Sequence, residues 1–140
     1  MLEPGQSAEI SFCVTQEEME LFQQLSGDHS LIHTDAAYAA ERGFPAPIAY
    51  GGIMLAKLSQ MVGMHLPGKF GTSVSWVITY RNPLYVGEHA VLRLEVVSVS
   101  RSVGLVEGKF SIQAGDKRVA DGKTQSIVPT DLIGDPTANG

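Results

Sequence analysis

A single cysteine in 140 residues, Cys13, leaves no partner for an intrachain disulfide and too few thiolates for a zinc cluster. Flanked by Phe12 and Val14 in a strand-like run, it reads as a small buried hydrophobe. Basic residues are scarce as well: ten Lys and Arg stand against fifteen Asp and Glu, a formal charge of −5. They are scattered, which excludes the clustered surface that nucleic-acid phosphates require. A small anionic ligand stays compatible, because a helix N-terminus can hold one. No run of about 18 apolar residues exists to span a membrane. The opening residues, MLEPGQSAEI, lack the basic-then-apolar pattern of a secretory signal. The expected compartment is the cytoplasm, with neither nucleic acid nor membrane as partner.

What the chain does have is a 44% apolar composition with 18% charged residues, enough at this length for one hydrophobic core. No repeat, linker or second composition zone is visible. Residues 1–129 are therefore expected to form one domain, and 130–140, with Pro136 and small polar residues, a loose tail.

Residues 8–14 alternate as a strand, with Ile10, Phe12 and Val14 on one face. Thr15-Gln16-Glu17-Glu18 is a capping box, which starts a helix striped by Met19, Phe22 and Leu25 and stopped by Gly27. A polar stretch follows, 28–34. Asp35 then caps a brief helix through Arg42, closed by Gly43. The prolines of Phe44-Pro45-Ala46-Pro47 force extended geometry. Residues 51–66 form the longest helical candidate, about 24 Å at 1.5 Å per residue, ended by Pro67-Gly68. It is apolar around most of its circumference, which predicts burial on most sides. Beyond Gly71 everything reads as strand: Val74, Trp76, Ile78 and Tyr80 alternate with polar residues, as do Leu92, Leu94 and Val96, and then Val106, Phe110 and Ile112. Gly115-Asp116 marks a turn into a last strand over 117–128. One apolar helix beside strands joined by short turns predicts an α+β domain whose antiparallel sheet curls about the helix. Its edges and outer face need protection, so a dimer is expected.

Titratable groups are dense in one place only: Asp28, His29, His33 and Asp35. Asp28 and His33 are five apart in a non-helical segment, where Leu31 and Ile32 can anchor the loop and let both polar side chains converge. A carboxylate and an imidazole so placed suit addition of water to a polarised double bond. On spacing alone, a turn cap at Asp28 and a local hydrogen bond at His33 are the more ordinary explanation. A metal site is not expected: the His29/His33 pair lacks the glutamate of the H-E-x-x-H helix, and Gly27 argues against helix there. Gly51-Gly52 opens the long helix with bare amides, which either bind an oxyanion or merely turn the chain. Gly52, Ala56, Ser59 and Gly63 form a stripe of small residues that predicts close packing. Ser59 carries its only hydroxyl.

Ser26-Gly27-Asp28-His29-Ser30-Leu31-Ile32-His33-Thr34-Asp35 resembles the signature S-G-D-x-N-P-[LI]-H-x-D of the MaoC-like, (R)-specific enoyl-CoA hydratase family. The likeness runs on through Phe44, Pro47, Ile48, Gly51 and the long helix to Leu66-Pro67-Gly68 and Asn82-Pro83-Leu84-Tyr85-Val86-Gly87-Glu88. It implies the hot-dog fold and a hydro-lyase working on the C2–C3 bond of an acyl thioester. By that resemblance Asp28 activates the water and His33 protonates C2. The Gly51 amide holds the thioester oxygen, and Ser59 orients Asp28. Ser30 and Tyr50 line the substrate site. Coenzyme A or an acyl carrier protein carries the acyl group through a tunnel at a homodimer interface, and no metal or redox cofactor is needed. The chain departs from the pattern where Ser30 replaces asparagine, Leu31 replaces proline, and Tyr50 replaces the histidine before the glycine. Those departures leave two other readings open: an acyl-CoA thioesterase on the same fold, or a non-catalytic acyl-thioester binding subunit.

Overall fold

The computed structural model describes residues 2–133. Five strands form one antiparallel sheet in the order β1-β3-β4-β5-β2, where β1 is Ser7–Cys13, β2 Thr72–Tyr80, β3 His89–Ser100, β4 Leu105–Ala114 and β5 Lys117–Ile127. The helices are α1 (Gln16–Ser26), α2 (Leu31–Thr34), α3 (Ala36–Glu41), α4 (Gly51–Met64) and α5 (Thr130–Ile133). Consecutive strands β3, β4 and β5 pair through short turns, while β1 and β2, at opposite edges, each pair with one neighbour.

The capping box of α1 forms as its spacing dictates. The Glu18 amide donates to Thr15 Oγ1 at 3.1 Å, and the Thr15 amide donates to Glu18 Oε1 at 3.2 Å. Gly27 ends the helix at φ 70°, a left-handed position that costs glycine nothing. The second oxygen of Glu18 accepts from Lys57 Nζ at 2.7 Å, which ties α1 to α4. Asp35 caps α3 through the Tyr38 amide.

The core lies between the sheet and α4. Leu92, Leu94, Phe110, Ile112 and Ala120 project from the strands against Ile53, Met54, Leu58 and Met61 of the helix. A smaller cluster of Val96, Val106, Val128 and Ile133 closes the other end of the sheet.

Four expectations change. Cys13 is exposed, because Phe12 and Val14 take the inward positions and period-two alternation turns it outward. Residues 31–34 of the polar stretch wind into the short helix α2. The helix α4 is less enclosed than its composition predicts: Ala56, Ser59, Gln60 and Met64 are exposed, and the small-residue stripe faces outward over most of its length. The first residues of the expected tail, Thr130–Ile133, are helical, and Ile133 is only 1% exposed. Residues 134–140 of that expected tail lie outside the described residues.

Candidate active site

Three short elements converge where the polar stretch meets the start of α4. Gly27 turns the chain out of α1 and delivers Asp28. The Asp28 carboxylate then folds back on its own loop: Oδ1 accepts from the Ser30 hydroxyl at 2.6 Å and the Ser30 amide at 2.9 Å. These two bonds hold the carboxyl below its usual range; partial burial opposes them, and His33 and His29 assist. Asp28 is thus kept as a carboxylate, the form that can take a proton.

His33 sits in α2. Its Nδ1 donates to the carbonyl oxygen of Ile48 at 2.7 Å, which fixes the ring and leaves Nε2 available for chemistry. The acceptor exists because the Ile48 amide in turn bonds the carbonyl of Ile32, so the proline-stiffened segment lies against α2.

Tyr50 links the two. Its ring stacks on His33 with centroids 4.4 Å apart and planes at 28°, and packs against Phe22 at 4.8 Å on α1. Its hydroxyl donates to the main-chain carbonyl of Asp28 at 2.6 Å. Burial pushes the phenol up, and the Asp28 charge adds to this, so Tyr50 stays a donor.

Two cavities meet at His33. One, of about 410 Å³, is walled by His33, Gly51, Met54, Tyr80, Leu84 and Val119, with Arg81 and Asn82 beside them. The other, of about 470 Å³, is walled by His33, Tyr50, Met19, Gln23, Ala46 and Pro47. Gly51 opens α4 with no side-chain cap, and its amide has no backbone acceptor among the described residues. It is a free donor at the positive end of a 14-residue helix. Tyr80, from β2, donates its hydroxyl to the Gly51 carbonyl at 2.8 Å. A Cβ at position 51 would lie 2.7 Å from the Tyr80 ring and hydroxyl, so a larger residue there displaces the tip of Tyr80.

Of the residues expected from the sequence, His33 and Gly51 share a cavity wall, Tyr50 touches both Asp28 and His33, and Ser30 bonds Asp28. Asp28 is half-exposed and lines neither cavity. Ser59 is exposed, lines neither cavity, and makes no bond to Asp28. Eight residues of helix turn it about 80° away from Gly51. Tyr80 was not foreseen as a site residue: strand alternation marks it only as one more apolar position. The Ile48 carbonyl has no sequence signal, being a backbone group. Among the described residues, no three His, Cys, Asp or Glu side chains converge as a metal site.

An antiparallel sheet carrying one long helix, with an imidazole and a bare helix N-terminus on one cavity wall and a carboxylate on the adjoining loop, defines a hot-dog domain suited to acyl-thioester chemistry. The chain belongs to the MaoC like domain family, matched over residues 2–116. It is 32% identical over 98 residues to an (R)-specific enoyl-CoA hydratase of Aeromonas caviae, covering 70% of this chain and 73% of that protein. It is 26% identical over 137 residues to a 3-hydroxybutyryl-CoA dehydratase of Methylorubrum extorquens, covering 98% and 87%. Its fold superposes on the solved (R)-hydratase of A. caviae with a TM-score of 0.86 and 27% identity, covering 91% of this chain and 98% of that one. These relatives are hydro-lyases.

Proposed function

We propose that this chain adds water across the C2–C3 double bond of a trans-2-enoyl thioester and, in reverse, dehydrates an (R)-3-hydroxyacyl thioester. The observation that carries the reading is the shared wall of His33 and Gly51. A proton donor whose far nitrogen is anchored to Ile48 faces one cavity with an unpaired helix-terminal amide. In the forward direction Asp28 takes a proton from water as its oxygen bonds to C3. The π electrons shift toward the thioester carbonyl, whose oxygen gains charge and is met by the Gly51 amide. His33 then gives a proton to C2. A proton passed from Asp28 to His33 through solvent restores the starting state. Atoms and charge balance with water alone, so no redox or metal cofactor is called for. The carrier is coenzyme A or an acyl carrier protein, in fatty acid metabolism.

We place the protein in the cytoplasm as a homodimer. No described helix is long and apolar enough to cross a membrane. The dimer is supported by apolar side chains left open near the acid–base loop: Leu21 is 57%, Leu25 85% and Leu31 51% exposed. A second copy there would shelter Asp28 and complete the tunnel. The single domain, expected over 1–129, extends to Ile133, which packs on Val96, Val106 and Val128.

The test follows the absorbance of the conjugated thioester when crotonyl-CoA is added. Loss of that signal is expected, and Asp28→Asn should lower kcat by about 10²–10⁴-fold with the fold intact. No turnover of C4 to C8 enoyl-CoA at high enzyme concentration would overturn the assignment. Release of free thiol, read with a thiol-reactive dye on saturated acyl-CoA, would mark a thioesterase instead.

A further inference from the structure

Tyr50 is 2% exposed, yet it touches every part of the proposed machinery. It stands directly before Gly51, where α4 begins, without capping the helix. Its ring covers one face of His33, and its hydroxyl ends on the carbonyl of Asp28. Two restraints therefore act on the imidazole. The Nδ1 bond to Ile48 sets its rotation about the ring edge, and the stacked phenol sets its plane. A third acts on Asp28, whose side chain among the described residues bonds only Ser30 of the same loop. The phenol hydroxyl ties the Asp28 carbonyl to the start of α4, while the Asp28 amide is held on the other side by Ser26 Oγ at 3.0 Å.

We propose that Tyr50 is a positioning residue that locks the acid and the base into one geometry, fixing the Asp28 main chain with its hydroxyl and the His33 plane with its ring. The proposal rests on the hydration reading above. Tyr50 acts through its neighbours and makes no contact with the reacting carbons. A displacement of about 1 Å between catalytic groups is costly in rate and nearly neutral for binding. Tyr50→Phe removes the hydroxyl bond and keeps the stack. It should lower kcat about tenfold while KM changes less than twofold. It should also move the acid limb of the kcat profile to higher pH, because a released Asp28 loop loosens the Ser30 bonds that hold its carboxyl low.

The experiment compares wild type, Tyr50→Phe and Phe22→Leu on crotonyl-CoA across pH, with thermal melts of each. Phe22→Leu removes the ring on the other side of Tyr50 but leaves the Tyr50 hydroxyl bond and the Ser30 bonds in place, so it should lose less kcat than Tyr50→Phe and keep the acid limb. If wild type is inactive, the hydration reading falls and this proposal with it. If wild type is active but Tyr50→Phe matches it in kcat and pH profile, only the positioning role is overturned. A rise in KM alone would make Tyr50 a substrate wall. Equal losses in the Phe22 variant, or a Tyr50→Phe protein that does not fold, would make it a packing residue. Each of these results overturns the proposal.

Discussion

The Asp28 carboxylate accepts two hydrogen bonds from one residue, and both strengthen the charged form at the expense of the neutral acid. A depressed carboxyl stays ionised as pH falls, so an activity that needs the carboxylate persists below the ordinary range and is lost as pH drops through the depressed value. Removing a bond reverses this. Ser30→Ala deletes the 2.6 Å hydroxyl bond and leaves the amide bond, so the acid limb of kcat/KM should shift toward higher pH without disappearing. A pH–rate profile checks this, and an unmoved limb would mean that Asp28 is not the group being titrated. The asparagine of the family pattern, put back as Ser30→Asn, has no hydroxyl and should also move the limb upward. At this scale the sequence offered candidates and was silent about how their side chains are directed. The ten-residue motif pointed to Asp28 and His33, whereas the burial and reach of Tyr50 depend on where α4 begins relative to α1, which no local spacing encodes.

Among the elements, α4 carries the most function at its first residue. Its N-terminus is uncapped, so the Gly51 amide is open, and Tyr80 of β2 closes over the same glycine from the sheet. Gly51→Ala needs no unusual backbone angle, and alanine favours helix, so the melting temperature should hold within a few degrees. The new Cβ would push the Tyr80 ring off its bond and into the cavity. A fall in kcat/KM of about tenfold is expected, read by steady-state kinetics on crotonyl-CoA. The elements themselves were largely legible: capping chemistry at Thr15, the αL glycine at position 27 and the alternation in β3 and β4 are local signals, and each formed as read. The edge strand β2 was only partly so. Its alternation marks Val74 and Tyr80 as inward; Tyr80 reaches Gly51 of α4 while staying half exposed at the rim, whereas a bulge between Ser73 and Ser75 interrupts the register at Val74, which is 59% exposed. The outward stripe on α4 escaped for another reason: composition reports that a helix is apolar, and the packing partner decides which side is covered.

Taken whole, the molecule leaves considerable apolar surface uncovered for a domain of its size. Leu21, Leu25, Leu31, Phe70, Val74 and Val77 are all exposed, and the rim strand β2 offers unpaired backbone groups beside two of them. Sedimentation should therefore give about twice the 15.0 kDa chain mass. A monomer at micromolar concentration would remove the shelter proposed for Asp28. The two ends of the sheet answer to different demands. Val119, near the start of β5, lines a cavity, whereas Val128, just past its end, joins Val96, Val106 and Ile133 in the smaller cluster. Ile133 is the stopper of that far end. Cutting the polypeptide after Pro129 would bare three valines to water while sparing the catalytic loop, yielding a protein more prone to stick to itself than to lose its chemistry.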